Sequence, residues 1–466
     1  MEDGRLYTPS GSRVVDSAAG LAWLWRLGPV LSAPDVRAVG MGTADEASEL
    51  HGLVEAGRLA GAVVFAPGPG PVDSHLPIRR RVSGGAAFGP GALLEGDFTV
   101  LDGGNPVVRS SLGVHAAVVG GRTLVLAAEP ATAWSVLRQF WVLEALAGFL
   151  AERLERPMVL LPAVGCVRLD DAPGTAQHQA EGRAHSDRRQ VRRIQALTRA
   201  YGGRGAVLNM AVAARSLGED RRTDIPLEQH WPRAVAAIAV GVRAGIFEPV
   251  GHGYLHLDRE AFDRGEIEPR EFASLGEDDA GRLIDASITW QRDVLGRHPA
   301  TFVAPAWGYS DGTFAALEAR RLPAWLRPGV GPLRDGGAVH ETIDSAMRGL
   351  RGVKLGTLAS LARTGLPPTP VFHGRLFDLR VQQLRASSDL VTAARLLARR
   401  DIFRLPSLPG LRWVGASELI RLLDAHGSIV VRGAEVDLTE APHARLLGPG
   451  GATQHLTGPR LSVQPL

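Results

Sequence analysis

The stretch that decides the fold is VRLDDAPG, residues 167–174. A mostly apolar strand runs directly into two adjacent carboxylates, Asp170 and Asp171, and the chain then turns. At a strand end, neighbouring side chains can both face one site. Because close carboxylates repel, the pair favours a nearby cation or unequal roles, in which one binds metal and the other takes protons. The alternative is a pair of turn-forming aspartates near a helix start.

A second motif is GHGYLH, residues 251–256, with histidines at 252 and 256. Two histidines four residues apart can reach one metal if the segment forms a helical turn or a tight loop. Gly251 and Gly253 allow close backbone approach. Two unrelated polar loop histidines would give the same pattern, so the motif alone leaves both interpretations open.

Two more strand candidates end in functional residue types. FVAPAWGY, residues 302–309, could present backbone N–H groups and an aromatic wall to a ligand, although a core tryptophan is the simpler interpretation. In PVFHG, residues 370–374, His373 directly follows the strand and is either a satisfied polar residue or an acid/base. In a parallel barrel, the carboxyl ends of all strands open on one face, where catalytic groups collect.

The order and spacing of these four motifs resemble the polysaccharide deacetylase (NodB-homology) superfamily over about residues 160–380. The resemblance implies a distorted (β/α) barrel and a divalent metal, usually zinc. It implies Asp171, His252 and His256 as metal ligands, Asp170 and His373 as catalytic residues, and Tyr254, Pro305, Trp307 and Gly308 as substrate-binding residues.

This sequence departs from the family pattern in two places. The third motif of the family carries an arginine that pairs with the catalytic base, and Val303 or Ala304 stands there in this chain. Arg168, or another arginine, could substitute. The family's tryptophan motif before His373 has no convincing copy.

These residues predict a metal-dependent hydrolase that removes an N-acetyl or other acyl group from a sugar or a small N-acyl compound. Asp170 would take a proton from water, and His373 would protonate the leaving amine. Backbone N–H groups near Trp307 would help to stabilise the oxyanion.

Two alternatives remain open. One is a non-catalytic carbohydrate- or metabolite-binding protein on the same barrel, which the missing arginine favours. The other is a glycoside hydrolase, whose two carboxylates lie about 5–9.5 Å apart. The two histidines would then have no explanation.

Alternating strand and helix patterns divide the chain into three regions and predict an α/β fold. We expect a smaller α/β, flavodoxin-like domain over 1–155, the deacetylase-like barrel over 156–425, and a short C-terminal β extension over 426–466. The extension should contain a hairpin across Gly433 and Ala434, and residues 448–460 should form a loop.

Composition argues for an ordinary globular protein. The 466 residues carry a net charge of only +3, and the basic residues occur in short, scattered runs, so we expect no nucleic-acid partner. Cys166 is the single cysteine, which rules out an intramolecular disulfide. Charged residues interrupt the apolar segment 134–150, so we expect no membrane span. The polar start of the chain does not resemble a signal peptide, and we expect a cytoplasmic location.

Overall fold

The structure is a computed structural model. It describes residues 5–69, 76–88, 92–130, 140–154, 158–180, 186–220, 222–266, 270–326, 334–335, 337–340, 355–373, 402–432, 435–438, 443–447, 453–457 and 460–462. These residues form a mixed α/β fold, as predicted from the sequence.

The first region is built on one nine-stranded sheet. Its strands are Leu6–Tyr7 (β1), Val30–Leu31 (β2), Val39–Thr43 (β3), Gly61–Phe65 (β4), Ile78–Phe88 (β5), Ala92–Asp102 (β6), Asn105–Ser110 (β7), Gly113–Val119 (β8) and Thr123–Leu126 (β9). Its helices are Val15–Leu24 (α1), Ala47–Glu55 (α2) and Phe140–Arg153 (α3). Five parallel strands run in the order β2-β1-β3-β4-β9, which is the flavodoxin-like order, and β8, β6 and β5 extend the sheet antiparallel.

The second region contains a parallel sheet whose strands follow one another in chain order. Its strands are Val167–Asp170 (β12), Leu208–Val212 (β13), Phe247–Gly251 (β16), Ala324–Leu326 (β17), Ala338–His340 (β19) and Val371–His373 (β20). Smaller strands of the region are Met158–Leu160 (β10), Val164–Gly165 (β11), Arg215–Leu217 (β14), Asp224–Pro226 (β15), Arg334–Asp335 (β18) and Arg412–Trp413 (β21). Phe302 bridges β16 and β17, and β20 pairs with β12, so the last strand of the parallel set returns to the first. The described pairings leave β19 and β20 unjoined, and the closed barrel stays a prediction.

Helices connect these strands. They are Ala176–Ala180 (α4), Asp187–Gly202 (α5), Leu227–His230 (α6), Pro232–Arg243 (α7), Arg259–Asp263 (α8), Glu277–Trp290 (α9), Asp311–Ala319 (α10), Leu355–Arg363 (α11) and Ala416–Ser428 (α12). Every residue of β12, β13 and β16 is buried, as expected for parallel strands covered on both faces. None of the helices in the described ranges is long and apolar enough to cross a membrane.

The C-terminal strands confirm one expectation and correct another. They are Val430–Arg432 (β22), Glu435–Asp437 (β23), His443–Leu447 (β24), Thr453–Thr457 (β25) and Arg460–Ser462 (β26). The predicted hairpin is confirmed, because β22 pairs antiparallel with β23. The loop predicted for 448–460 is wrong in part, because β25 pairs with β24, which in turn pairs with β10.

The first region packs against the rest of the chain through a shared hydrophobic cluster that runs from Leu6 to Leu447. Polar contacts cross the same junction. The indole N–H of Trp25 donates to the carbonyl of Thr364 at 2.8 Å, and Nε2–H of His426 donates to the carbonyl of Leu24 at 2.9 Å. The division into three domains stays a prediction.

His426 makes the stability of this junction depend on pH. Burial, together with the nearby charge of Arg26, lowers its pKa to about 3. An unfolded chain takes up a proton on this histidine below about pH 6.5, whereas the folded chain does not until about pH 3. The free energy of unfolding therefore falls by up to about 1.4 kcal/mol for each pH unit across that window.

We predict that His426→Gln removes this part of the acid sensitivity, because glutamine keeps an N–H donor for Leu24 and has no proton to gain. Between pH 6.5 and 5, the free energy of unfolding should fall about 2 kcal/mol less in the variant than in the wild type. Urea denaturation at both pH values measures the difference. The exposed His455→Gln is the control and should keep the wild-type dependence. Equal acid sensitivity in the wild type and the His426 variant would show that the argument is wrong.

Candidate metal centre

The paired aspartates lie where β12 ends. Asp170 is the last residue of β12 and lies in register with His373, the last residue of the neighbouring strand β20. Asp171 follows with a φ of 62°, in the left-handed region that costs a non-glycine residue about 1–3 kcal/mol. Both side chains are buried. The surrounding contacts therefore have to hold Asp171 in a conformation that its own backbone disfavours.

Three side chains from two strand ends offer ligand atoms at one point. Asp171, His252 and His256 each supply one such atom, and these atoms lie within 4.8 Å of one another. Oδ1 of Asp171 is 3.3 Å from Nε2 of His252 and 3.0 Å from Nε2 of His256. Imidazole nitrogens and a carboxylate oxygen are the ligands of many catalytic zinc sites. The donor set therefore fits a divalent metal of the zinc type.

The orientation of His252 supports this fit. Its Nδ1–H donates to the backbone carbonyl of Val303 at 2.9 Å, so the lone pair lies on Nε2, which faces Asp171. Metal-binding histidines commonly hold their second ring nitrogen in this way. His256 reaches the same point from a backbone φ of 61°. The tight loop that the histidine spacing required is therefore present.

His373 lies on the other side of the Asp171 carboxylate. Its Nδ1–H donates to Oδ2 of Asp171 at 3.2 Å. Its Nε2 is buried and has no hydrogen-bond partner among the residues that the structure describes. The ring of Trp307 stands edge-on to it, with the two centroids 6.1 Å apart. Nε2 of His373 is therefore the atom of this ring that remains for a ligand.

The three histidines determine the charge state of Asp171. Burial alone would raise its pKa, but the contacts with His252, His256 and His373 outweigh burial and hold the pKa well below the ordinary value. The carboxylate is therefore ionised at neutral pH. An ionised carboxylate is the form that binds a metal.

Asp170 has a different partner, Arg168. Residues two apart on a strand point to the same face, and the Arg168 guanidinium donates to both carboxylate oxygens of Asp170, at 2.6 and 3.1 Å. The side chains are only 1% and 2% exposed. The guanidinium also lies over the ring of Trp325, 5.1 Å from its centroid. An arginine from the first motif thus pairs with the residue predicted to be the base, where the third motif has Val303 or Ala304.

This ion pair keeps Asp170 ionised as well. Burial would raise the pKa of Asp170, but the charge of Arg168, helped by His252 and His373, brings the pKa below its ordinary value. The two neighbouring aspartates therefore have identical chemistry and different surroundings, one facing a guanidinium and the other facing imidazoles.

Sequence reasoning missed Glu271. Its buried carboxylate accepts hydrogen bonds from the backbone N–H groups of Tyr254, Leu255 and His256, at 3.1, 2.7 and 3.0 Å. Burial raises its pKa to about 7, although the three N–H groups act in the opposite direction. A single glutamate about 15 residues after a histidine motif gives no local signal, because its partners are backbone groups.

The residues expected to bind substrate have different neighbours in the structure. Trp307 lies beside His373, and Pro305 packs against Gly253. The ring of Tyr254 lies under the guanidinium of Arg215. The substrate role of all four residues stays a prediction.

The backbone N–H groups of Trp307 and Gly308 are used within their own loop. The N–H of Trp307 donates to the carbonyl of Ala304 at 2.9 Å, and the N–H of Gly308 donates to the carbonyl of Pro305 at 3.0 Å. Residues Pro305–Trp307 form a 3₁₀ turn, which uses these donors internally. Oxyanion stabilisation by backbone N–H groups near Trp307 stays a prediction, for groups other than these two.

No protein-family profile matches the chain, and no curated protein sequence matches it. Several solved structures do match with a probability of 1.00. One is a protein from Mycobacterium smegmatis provisionally assigned as a polysaccharide deacetylase, at 16% identity and a TM-score of 0.34, covering 57% of this chain and 95% of the other. A second is a family 4 acetyl xylan esterase from Clostridium thermocellum in complex with a cobalt ion, at 13% identity and a TM-score of 0.31, covering 56% and 91%.

A third match is a CE4-family pseudoenzyme from Bacillus anthracis, at 10% identity and a TM-score of 0.32, covering 56% of this chain and 66% of the other. The structural neighbours of this chain are thus CE4 polysaccharide deacetylases and their relatives, the family that its motifs resemble. At these identities and TM-scores, the function proposed below depends on the site residues themselves.

Proposed function

We propose that this chain is a metal-dependent hydrolase that removes an N-acetyl or other acyl group from a sugar or a small N-acyl compound, on a deacetylase-type (β/α) barrel that follows a smaller α/β domain. The observation that carries the proposal is the placement of a proton acceptor, a metal-type donor set and a histidine around adjacent strand ends. Asp171, His252 and His256 would hold the metal, and their nitrogen and oxygen donors match the preference of zinc. When bound, such a metal supplies a Lewis acid that polarises a carbonyl oxygen and lowers the pKa of water.

The protein's own groups divide the proton transfers between them. Asp170 is ionised and held by Arg168, so it can accept a proton from the attacking water. His373 donates through Nδ1–H to Asp171, and in its protonated form it carries a second proton on Nε2 that it can give to the leaving amine. One proton is taken and one is given, as hydrolysis of an amide to an acid and an amine requires.

The two alternatives fit these contacts less well. A binding protein was favoured by the missing arginine, and Arg168 supplies a guanidinium to Asp170. A glycoside hydrolase needs two carboxylates that flank a sugar bond. Here Asp170 is engaged by an arginine and Asp171 by three histidines. Hydrolysis of an acyl group uses all of these residues.

We predict different losses from two neighbouring substitutions. Asp171→Asn should weaken zinc affinity by at least about 10–100-fold, since it removes a charged ligand. Asp170→Asn should keep the metal and lower the hydrolysis rate by about 100–10,000-fold, since the proton acceptor is lost. Zinc titration and acetate release from a panel of N-acetylated sugars and small N-acyl compounds measure the two effects.

The surface variant Asp285→Asn is the control and should change neither quantity. Normal zinc affinity in both site variants would mean that the metal ligands are misassigned. A wild type that binds zinc but releases no acyl product from a broad panel would favour the binding-protein alternative.

A further prediction concerns the ion pair that holds Asp170. Arg168→Met should lower the free energy of unfolding by about 3–5 kcal/mol, because it leaves a buried carboxylate unpaired. Adding Asp170→Asn should recover most of that loss without restoring hydrolysis. Urea denaturation of the single and double variants measures both steps.

The matched control is Arg320→Met. Arg320 also binds an aspartate with two short contacts, but at the surface, where such a pair contributes about 0–1 kcal/mol. If Arg168→Met costs no more stability than Arg320→Met, the buried pair does not have the importance assigned to it.

A further inference from the structure

The loop that carries the histidine pair is held from behind by one carboxylate. Glu271 is 6% exposed, and its two oxygens accept the backbone N–H groups of three successive residues, Tyr254, Leu255 and His256. Successive N–H groups that converge in this way form an anion-binding concavity. In this chain the concavity is filled by a carboxyl side chain of the protein itself.

Gly253 leaves the space that this carboxylate occupies. Its φ is 79°, a conformation that suits glycine, and a Cβ at this position would lie 2.3 Å from Oε2 of Glu271 and 2.9 Å from Cγ of Pro305. This explains why a glycine lies between the two histidines: only a residue without a side chain allows the glutamate to reach the N–H groups.

Other contacts of the loop do not replace Glu271. Ser287 donates to the carbonyl of Gly253 at 2.9 Å, and the N–H of Arg215 donates to the carbonyl of Tyr254 at 2.8 Å. Both act on carbonyl groups. The N–H groups of Tyr254, Leu255 and His256 donate to Glu271 instead. This carboxyl therefore helps to hold His256 at a φ of 61°, which is unfavourable for a residue with a side chain.

We propose that Glu271 is a positioning residue that sets the metal affinity of the site by fixing the 253–256 loop, so that Nε2 of His256 faces Asp171. The inference rests on the proposed metal site. Glu271 acts through the backbone, and it would do so for any divalent ion that the three ligands accept.

The experiment titrates zinc into metal-free full-length protein in competition with a chelator. Glu271→Gln replaces one acceptor oxygen by an NH₂ group that opposes the N–H donors, and it should weaken zinc binding by about 10–100-fold, the range for contacts that orient a ligand. Glu271→Asp keeps the charge but is shorter by one methylene. Glu271→Asp should lose less zinc affinity than Glu271→Gln, and it replaces that variant in the test if Glu271→Gln does not fold.

Glu248→Gln is the matched control. Glu248 is also buried, accepts hydrogen bonds from the N–H and hydroxyl of Ser417 at 2.7 Å, and closely approaches a glycine, Gly415. It holds a helix start and not the histidine loop, so its variant should lose stability and keep the wild-type zinc affinity.

The outcomes separate the two proposals. Wild-type zinc affinity in Glu271→Gln, or an equal loss in Glu248→Gln, overturns the role of Glu271 while the metal site stands. A wild-type chain that binds no zinc overturns both. Hydrogen exchange adds a readout that needs no variant, since unprotected amides at 254–256 in the wild type would also contradict the inference.

Discussion

One carboxylate is shared between the metal-type donor set and the candidate acid. Oδ1 of Asp171 faces His252 and His256, while Oδ2 accepts from His373. A shift of this side chain would disturb both halves of the site at once. Its strained backbone can persist only because the surroundings over-determine it. The rigidity of the parallel strand ends is therefore the condition for the chemistry.

The charges around this carboxylate are balanced group by group. A buried ion is costly unless it is paired, and two adjacent carboxylates double that cost. Arg168 neutralises Asp170 at short range, so the negative charge that remains for a cation is that of Asp171. In the proposed function, these two residues of the same type have different tasks because their partners differ.

The residues of the site were predictable where a motif ends a strand. Asp170 and its neighbour follow an apolar run, and parallel strands bring such ends together. The pairing of Arg168 with Asp170 follows from strand alternation, yet choosing this arginine among many required the structure. Glu271 could not be predicted, because it recognises backbone N–H groups that every residue shares. The strand at 453–457 was missed because this segment is polar and rich in glycine nearby. Its pairing with β24 cannot be predicted from such a local pattern.

The pairing of β10 with β24 gives the folding of this chain an order in time. Arg445, on β24, donates to the carbonyl of Leu161, 284 residues earlier in the chain. A ribosome adds about 5–20 residues per second, so β24 is synthesised on the order of 15–60 s after β10. Throughout that interval one edge of β10 has open N–H and C=O groups, which other strands can bind.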